Sequence, residues 1–106
     1  MKALLTGALL STLLALPALA ETVWIDVRSY PEHLVDNIEG DPRIDHGDIV
    51  EEVSERYPDK GTDIKLYCAA GGRAGTAAQA LLDAGYTSVE NAGGIDDARR
   101  ARGIED

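Results

Sequence analysis

The sequence predicts an α/β fold of three layers: a small, mostly parallel central sheet with helices on both faces. Three observations carry that expectation. Short apolar or β-rich runs, "TVWIDV", "DIKLYC" and "SVENAGG", alternate with stretches whose apolar residues recur at helical spacing. Strands that alternate with helices are joined by crossovers, which makes the sheet parallel and covers both of its faces. Finally, the one cysteine and a glycine cluster stand at the end of the second run. Open parallel sheets bind ligands beyond the carboxyl ends of their strands.

Each element has its own signal. "TVWIDV" reads as a buried strand with Asp26 near its end. "SYPE" supplies a capping box, Ser29 with Glu32 three residues on, and Pro31 fits a first helical turn. Leu34, Val35 and Ile38 are the expected apolar face of that short helix. "RIDHG" reads as an edge strand. Asp48 and Glu51 repeat the capping-box spacing before Ile49, Val50, Val53 and Tyr57, which share a helical face; Pro58 and Gly61 end that helix.

In "DIKLYC", Ile64, Leu66 and Cys68 alternate with Lys65 and Tyr67, the pattern of a strand. Ala74, Ala77, Ala78 and Leu81 follow at helical spacing. Gly85 falls where a left-handed C-cap belongs, with Tyr86 placed for its apolar contact. "SVENAGG" reads as a last short strand entering a glycine turn, with a final helix from about Ile95. Its charged stretch, "DDARRAR", reads as an exposed helix end.

Residues 1–20 have the layout of a cleaved secretory signal: Lys2, the uncharged, mostly apolar run from Ala3 to Leu16, Pro17, then Ala18-Leu19-Ala20. The run is shorter than the ~20 apolar residues a membrane span requires. Cleavage after Ala20 leaves residues 21–106 as one small domain, soluble and periplasmic, with no membrane contact. Loss of Lys2 moves the formal charge from −9 to −10, nine basic residues against 19 acidic. That balance argues against nucleic acid, whose affinity rests on Lys and Arg at phosphates.

A single cysteine forms no internal disulfide, so Cys68 is either an inert buried residue or a working thiol. Its surroundings favour the second. Gly71, Gly72 and Gly75 let the backbone curl and turn successive amides inward as an anion-binding nest. The following helix adds the positive end of its dipole, and Arg73 a permanent charge. All three favour thiolate, which is the nucleophile. The expected site is therefore Cys68 as nucleophile, with Ala69, Ala70, Gly71, Gly72 and Arg73 holding an anion over it. Asp26 and Arg28 read as a strand-end pair that braces loops, and His46 as a solvated or capping residue at a possible pocket edge. "NAGG", Asn91 to Gly94, reads as a turn that adjoins the pocket at most. His33, His46 and one distant cysteine make no metal site, and no cofactor is implied.

Four segments in order resemble the rhodanese family of sulfurtransferases across essentially the whole of residues 21–106. They are "WIDVRSYPEH", "DNIEGDPRIDHGDI", "YCAAGGRAG" and "GYTSVENAGGI". The signal-like start and short length are most similar to the small periplasmic single-domain members. The resemblance implies a rhodanese-like fold and a mechanism in which Cys68 takes the outer sulfur of thiosulfate as a persulfide. Cyanide or a thiol then collects that sulfur. Ala69, Ala74, Asn37 and Ala98 depart from residues common in the family, which bears on substrate preference. Two other readings use the same loop. One is a non-catalytic persulfide carrier serving a protein partner. The other is a cysteine-dependent phosphatase, whose loops have five residues between Cys and Arg where this chain has the four from Ala69 to Gly72.

Overall fold

The computed structural model describes residues 21–105, so the signal-like residues 1–20 lie outside the described residues. Three strands form one parallel sheet in the order β1 (Val23–Asp26), β2 (Ile64–Cys68), β3 (Val89–Gly94). Between β1 and β2 lie α1 (Tyr30–Val35), a 3-10 turn (His46–Asp48) and α2 (Ile49–Arg56). α3 (Gly72–Asp83) links β2 to β3, and α4 (Ile95–Arg102) follows β3.

β2 is the middle strand, and the period of two along it separates two cores. Ile64, Leu66 and Cys68 point to one face, where Ile49 and Val53 of α2 and Ala74, Ala77, Ala78 and Leu81 of α3 complete a buried cluster. Tyr67 points to the other face, where Ile38, Ile95 and Ala98 surround it. This is the expected three-layer arrangement. Alanines on α3 let that helix lie close to the sheet. Its C-terminus closes as anticipated: Gly85 adopts φ +101°, and the Tyr86 and Gly85 amides donate to the Leu81 and Leu82 carbonyls at 3.0 Å each.

Several expectations are corrected. "RIDHG" forms no strand. Arg43 makes a single parallel bridge to Asp26, and the Ile44 amide donates to the Asp26 carbonyl at 2.9 Å. Pro42 precedes that bridge and has no N–H to extend it. Asp48 makes no side-chain cap of α2; Asp45 instead caps the 3-10 turn through the Gly47 amide at 2.9 Å. The apolar face foreseen on α1 is open: Leu34 is 62% and Val35 87% exposed, while Ile38 is buried beyond the helix end. α1 is held by its polar face instead, through Glu32 and His33.

The "DDARRAR" stretch is likewise not a solvated end. Arg99 is buried and donates to both carboxylate oxygens of Asp36, at 3.0 and 2.7 Å. Arg102 does the same to Asp41, at 2.6 and 3.0 Å, while lying 4.5 Å over the Trp24 ring. Tyr67 donates its hydroxyl to Asp41 at 2.8 Å. Bidentate arginine–carboxylate pairs thus lock α4 to the segment after α1 and roof the second core. Ala98, one of the departures from the family pattern, packs inside this core rather than with Cys68.

Candidate active site

Cys68 ends β2, and the chain then turns through Ala69–Gly71 into α3. The turn needs a positive φ, which Gly71 supplies at +106°. Gly71 is the N-cap of α3 and has no side chain to accept the helix's first amides. The Cys68 sulfur takes that role, with the Gly71 amide donating to Sγ at 3.0 Å and the Ala74 amide at 3.4 Å. Burial by itself would push the thiol up. Amides of Ala74, Ala70, Gly71 and Arg73 outweigh it, and the net result is a thiol held below its ordinary value.

Of the residues expected to form the cradle, the amides of Ala70, Gly71 and Arg73 face the sulfur, while Ala69 and Gly72 are not among its donors. The Ala74 amide is a donor outside the expected set, because its helical spacing marks the side chain as core and a backbone donor leaves no signal in the sequence. Ala69 turns its carbonyl toward β3, where Gly94 sits so close that any Cβ there would collide with it. Ala69, Ala70 and Gly72 are exposed, while Cys68 itself is only 1% exposed.

Arg73 is where expectation and structure differ most. Its fork does not stand free beside the sulfur. Both terminal nitrogens donate to Glu32 of α1, at 2.6 and 3.0 Å. That pairing raises the arginine further above its ordinary value, while Arg73, followed by the Ser29 amide and hydroxyl, holds the Glu32 carboxyl well below the usual carboxylate range.

Asp26 and Arg28 form a buried brace, as the strand-end reading anticipates. Arg28 donates from Nε and a terminal nitrogen to the two Asp26 oxygens at 2.9 and 2.8 Å, and its backbone amide adds a third bond at 3.0 Å. The same guanidinium reaches the Asp36 carbonyl at 2.5 Å. His33 Nδ1 lies 3.0 Å from Asp26 Oδ2, bringing α1 onto the strand end. Burial pushes the Asp26 carboxyl up, but these bonds together hold it lower than usual. His46 stays in its 3-10 turn, 3.6 Å from Asp45.

The "NAGG" turn contributes more than a turn. Asn91 donates its amide to the Gly71 carbonyl at 3.0 Å and accepts from the Gly93 amide at 2.8 Å, tying the Cys68 loop to β3. A Cβ at Gly75 would lie 3.2 Å from the Asn91 amide nitrogen. The third glycine, at a helical position that favours alanine, was the available sign of this close approach. Among the described residues no group of three or more His, Cys, Asp or Glu could hold a metal ion, and no helix is long and apolar enough to cross a membrane.

A parallel sheet carrying a cysteine-to-arginine loop at a strand end and helix start is the architecture of a cysteine-centred anion-binding domain. The chain belongs to the rhodanese-like domain family, whose match spans residues 9–101. It is 38% identical over 88 residues to thiosulfate sulfurtransferase PspE of Escherichia coli (strain K12), covering 83% of this chain and 85% of that protein. Among solved structures it is similar to a "rhodanese with anions from E. coli", with TM-score 0.66, 38% identity, and coverage of 73% of this chain and 91% of the other. The Rhodanese_3-like domain of Alr3790 from Anabaena sp. gives TM-score 0.69 at 28% identity, with coverage of 80% and 97%.

Proposed function

We propose that this protein is a thiosulfate sulfurtransferase that works through a persulfide on Cys68. The observation that carries the reading is the convergence of backbone amides on a buried sulfur at the N-terminus of α3. Such a nest stabilises a negative sulfur before and after it gains a second one. The Cys68 thiolate attacks the outer sulfur of thiosulfate; the S–S bond of the donor breaks and its electron pair leaves with sulfite. Cyanide then attacks the outer sulfur of the persulfide, forming thiocyanate and returning the thiolate. A thiol takes the place of cyanide in the cell. Two half-reactions with one covalent intermediate imply ping-pong kinetics.

Related proteins support the donor class. The Escherichia coli relative is named a thiosulfate sulfurtransferase, and the similar solved rhodanese was described with anions. Residues 1–20 as a cleaved signal, residues 21–106 as the mature domain and a periplasmic location complete the reading, on the sequence layout given above.

The test is steady-state thiocyanate production from thiosulfate and cyanide. Parallel-line kinetics with turnover are expected, and absence of turnover overturns the enzymatic reading. A carrier that hands sulfur to a protein partner is the second reading. One feature favours it: Tyr30, Leu34 and Val35 of α1, the helix joined to the Cys68 loop through Glu32 and Arg73, are exposed. A carrier loads one sulfur from thiosulfate but keeps it from cyanide for its protein partner, and so shows no sustained turnover.

A further inference from the structure

Arg73 is the only side-chain cation within the Cys68 loop, and both of its terminal nitrogens are already engaged by Glu32. Glu32 is itself fixed. It occupies the third position of α1, and its Oε1 accepts from the Ser29 amide at 3.0 Å and the Ser29 hydroxyl at 2.8 Å. The remaining rim, Ala69, Ala70 and Gly72, is exposed and uncharged. An anion arriving over Cys68 therefore finds backbone amides at once, but the arginine fork only in competition with a carboxylate.

We infer that Glu32 is an affinity-setting residue that withholds Arg73 from small anionic sulfur donors. The inference rests on the reading that a sulfonate-ended donor sits at the Cys68 loop, and it concerns anion binding, which is measurable without turnover. The pair is about one-third exposed on each side, 33% for Arg73 and 36% for Glu32. An ion pair so open to water is weak enough for an incoming dianion to displace. Displacement still costs, so the site discriminates against compact dianions relative to singly charged or uncharged sulfur donors.

Glu32→Gln tests this directly. The glutamine carbonyl, standing where Oε1 does, still accepts from the Ser29 amide and preserves the helix start. It keeps one Arg73 bond, but the amide replaces Oε2 and the negative charge that competes for the guanidinium is gone. The probe is sulfate, an unreactive dianion shaped like the sulfonate end of thiosulfate. It is titrated at constant ionic strength into Cys68→Ser protein by following the Gly71 and Arg73 amide resonances. Removing a competitor of this strength should tighten sulfate ~5-fold. In the Cys68-containing enzyme the thiosulfate KM should fall similarly without a rise in kcat.

The gain must also vanish in the Glu32→Gln/Arg73→Ala double variant, since Glu32 acts only through Arg73. Glu32→Met, similar in length and a good helix former, carries the same expectation if the glutamine variant is poorly folded. Unchanged or weaker sulfate binding in folded variants overturns the inference and makes Glu32 an aligner of Arg73. A gain that persists without Arg73 overturns it too. Tighter sulfate binding by a protein that shows no turnover keeps this inference and removes the enzymatic one.

Discussion

At the scale of single residues, Cys68 and Asp26 are both buried acids kept ionisable by donors aimed at them, and both fail in predictable ways. Cys68→Ser should abolish sulfur transfer while leaving the melting curve near that of the parent. A hydroxyl fits the amide nest but ionises far less readily and holds no transferable sulfur. Incubating the parent protein with thiosulfate and then desalting should add one sulfur, about 32 Da, which cyanide or dithiothreitol removes, as suits a persulfide rather than a sulfinic acid. Residual turnover in the serine variant, or added mass that resists both reagents, counts against the mechanism. Asp26→Asn leaves Arg28 buried without its counter-charge. Losing one partner of such a pair costs about 3 kcal/mol or more. At about 4–8 °C per kcal/mol for a domain this size, Tm should drop by roughly 12–24 °C or more in a thermal melt. A shift of only a degree or two would show that the brace is dispensable. The sequence exposed Cys68 because its glycines, arginine and helix start are neighbours along the chain. It concealed the Glu32–Arg73 pair because those residues are 41 positions apart, and no local pattern ties a capping glutamate to a distant arginine.

Among the elements, β3 and the Cys68 loop meet along a seam of glycines and Asn91, and the seam sets where the nest sits. Gly94→Ala should be far more harmful to activity than to folding. Its Cβ would strike the Ala69 carbonyl, which is backbone and can yield only by moving the loop. A displacement near 1 Å at a reacting centre costs about 100-fold in rate, so kcat/KM should fall by about that factor while the cores on both sheet faces keep the domain folded. Activity within twofold of the parent would mean that the loop yields without moving Cys68. Element positions were legible wherever an apolar period or a helix cap is local, as in the alternation along β2 and the Schellman turn at Gly85. Which face of α1 docks was not. A six-residue helix shows its apolar residues plainly, but Glu32 and His33 find charged partners that tertiary structure alone brings near. The same reason turns the α4 arginines from an apparent solvent-facing end into clamps on Asp36 and Asp41.

For the molecule as a whole, two electrostatic effects oppose each other as the pH falls, and their order along the pH axis is fixed by which carboxylates are paired. Asp26, Glu32, Asp36 and Asp97 all hold their protons more weakly in the folded state than an ordinary carboxyl. Arg73 is the chief cause at Glu32, Arg99 at Asp36 and the Gly94 amide at Asp97, while at Asp26 the bonds from Arg28 and His33 overcome burial. Because the unfolded chain binds these protons more readily, their stabilisation is complete above the unfolded values near pH ~4. It is lost as pH drops through the lower folded values. The full chain carries a net charge of −9, and its self-repulsion eases as the pH falls toward the pI of about 4.5. Tm should therefore hold level or rise slightly from pH 7 to about pH 5, then fall steeply below about pH 4. Calorimetric or circular-dichroism melts across that range check it, and a steady decline between pH 7 and 5 would refute it. Moderate salt separates the two effects. It screens distant repulsion and should raise Tm at pH 7, whereas the part of the acid limb set by the buried Asp26–Arg28 bonds should stay at the same pH.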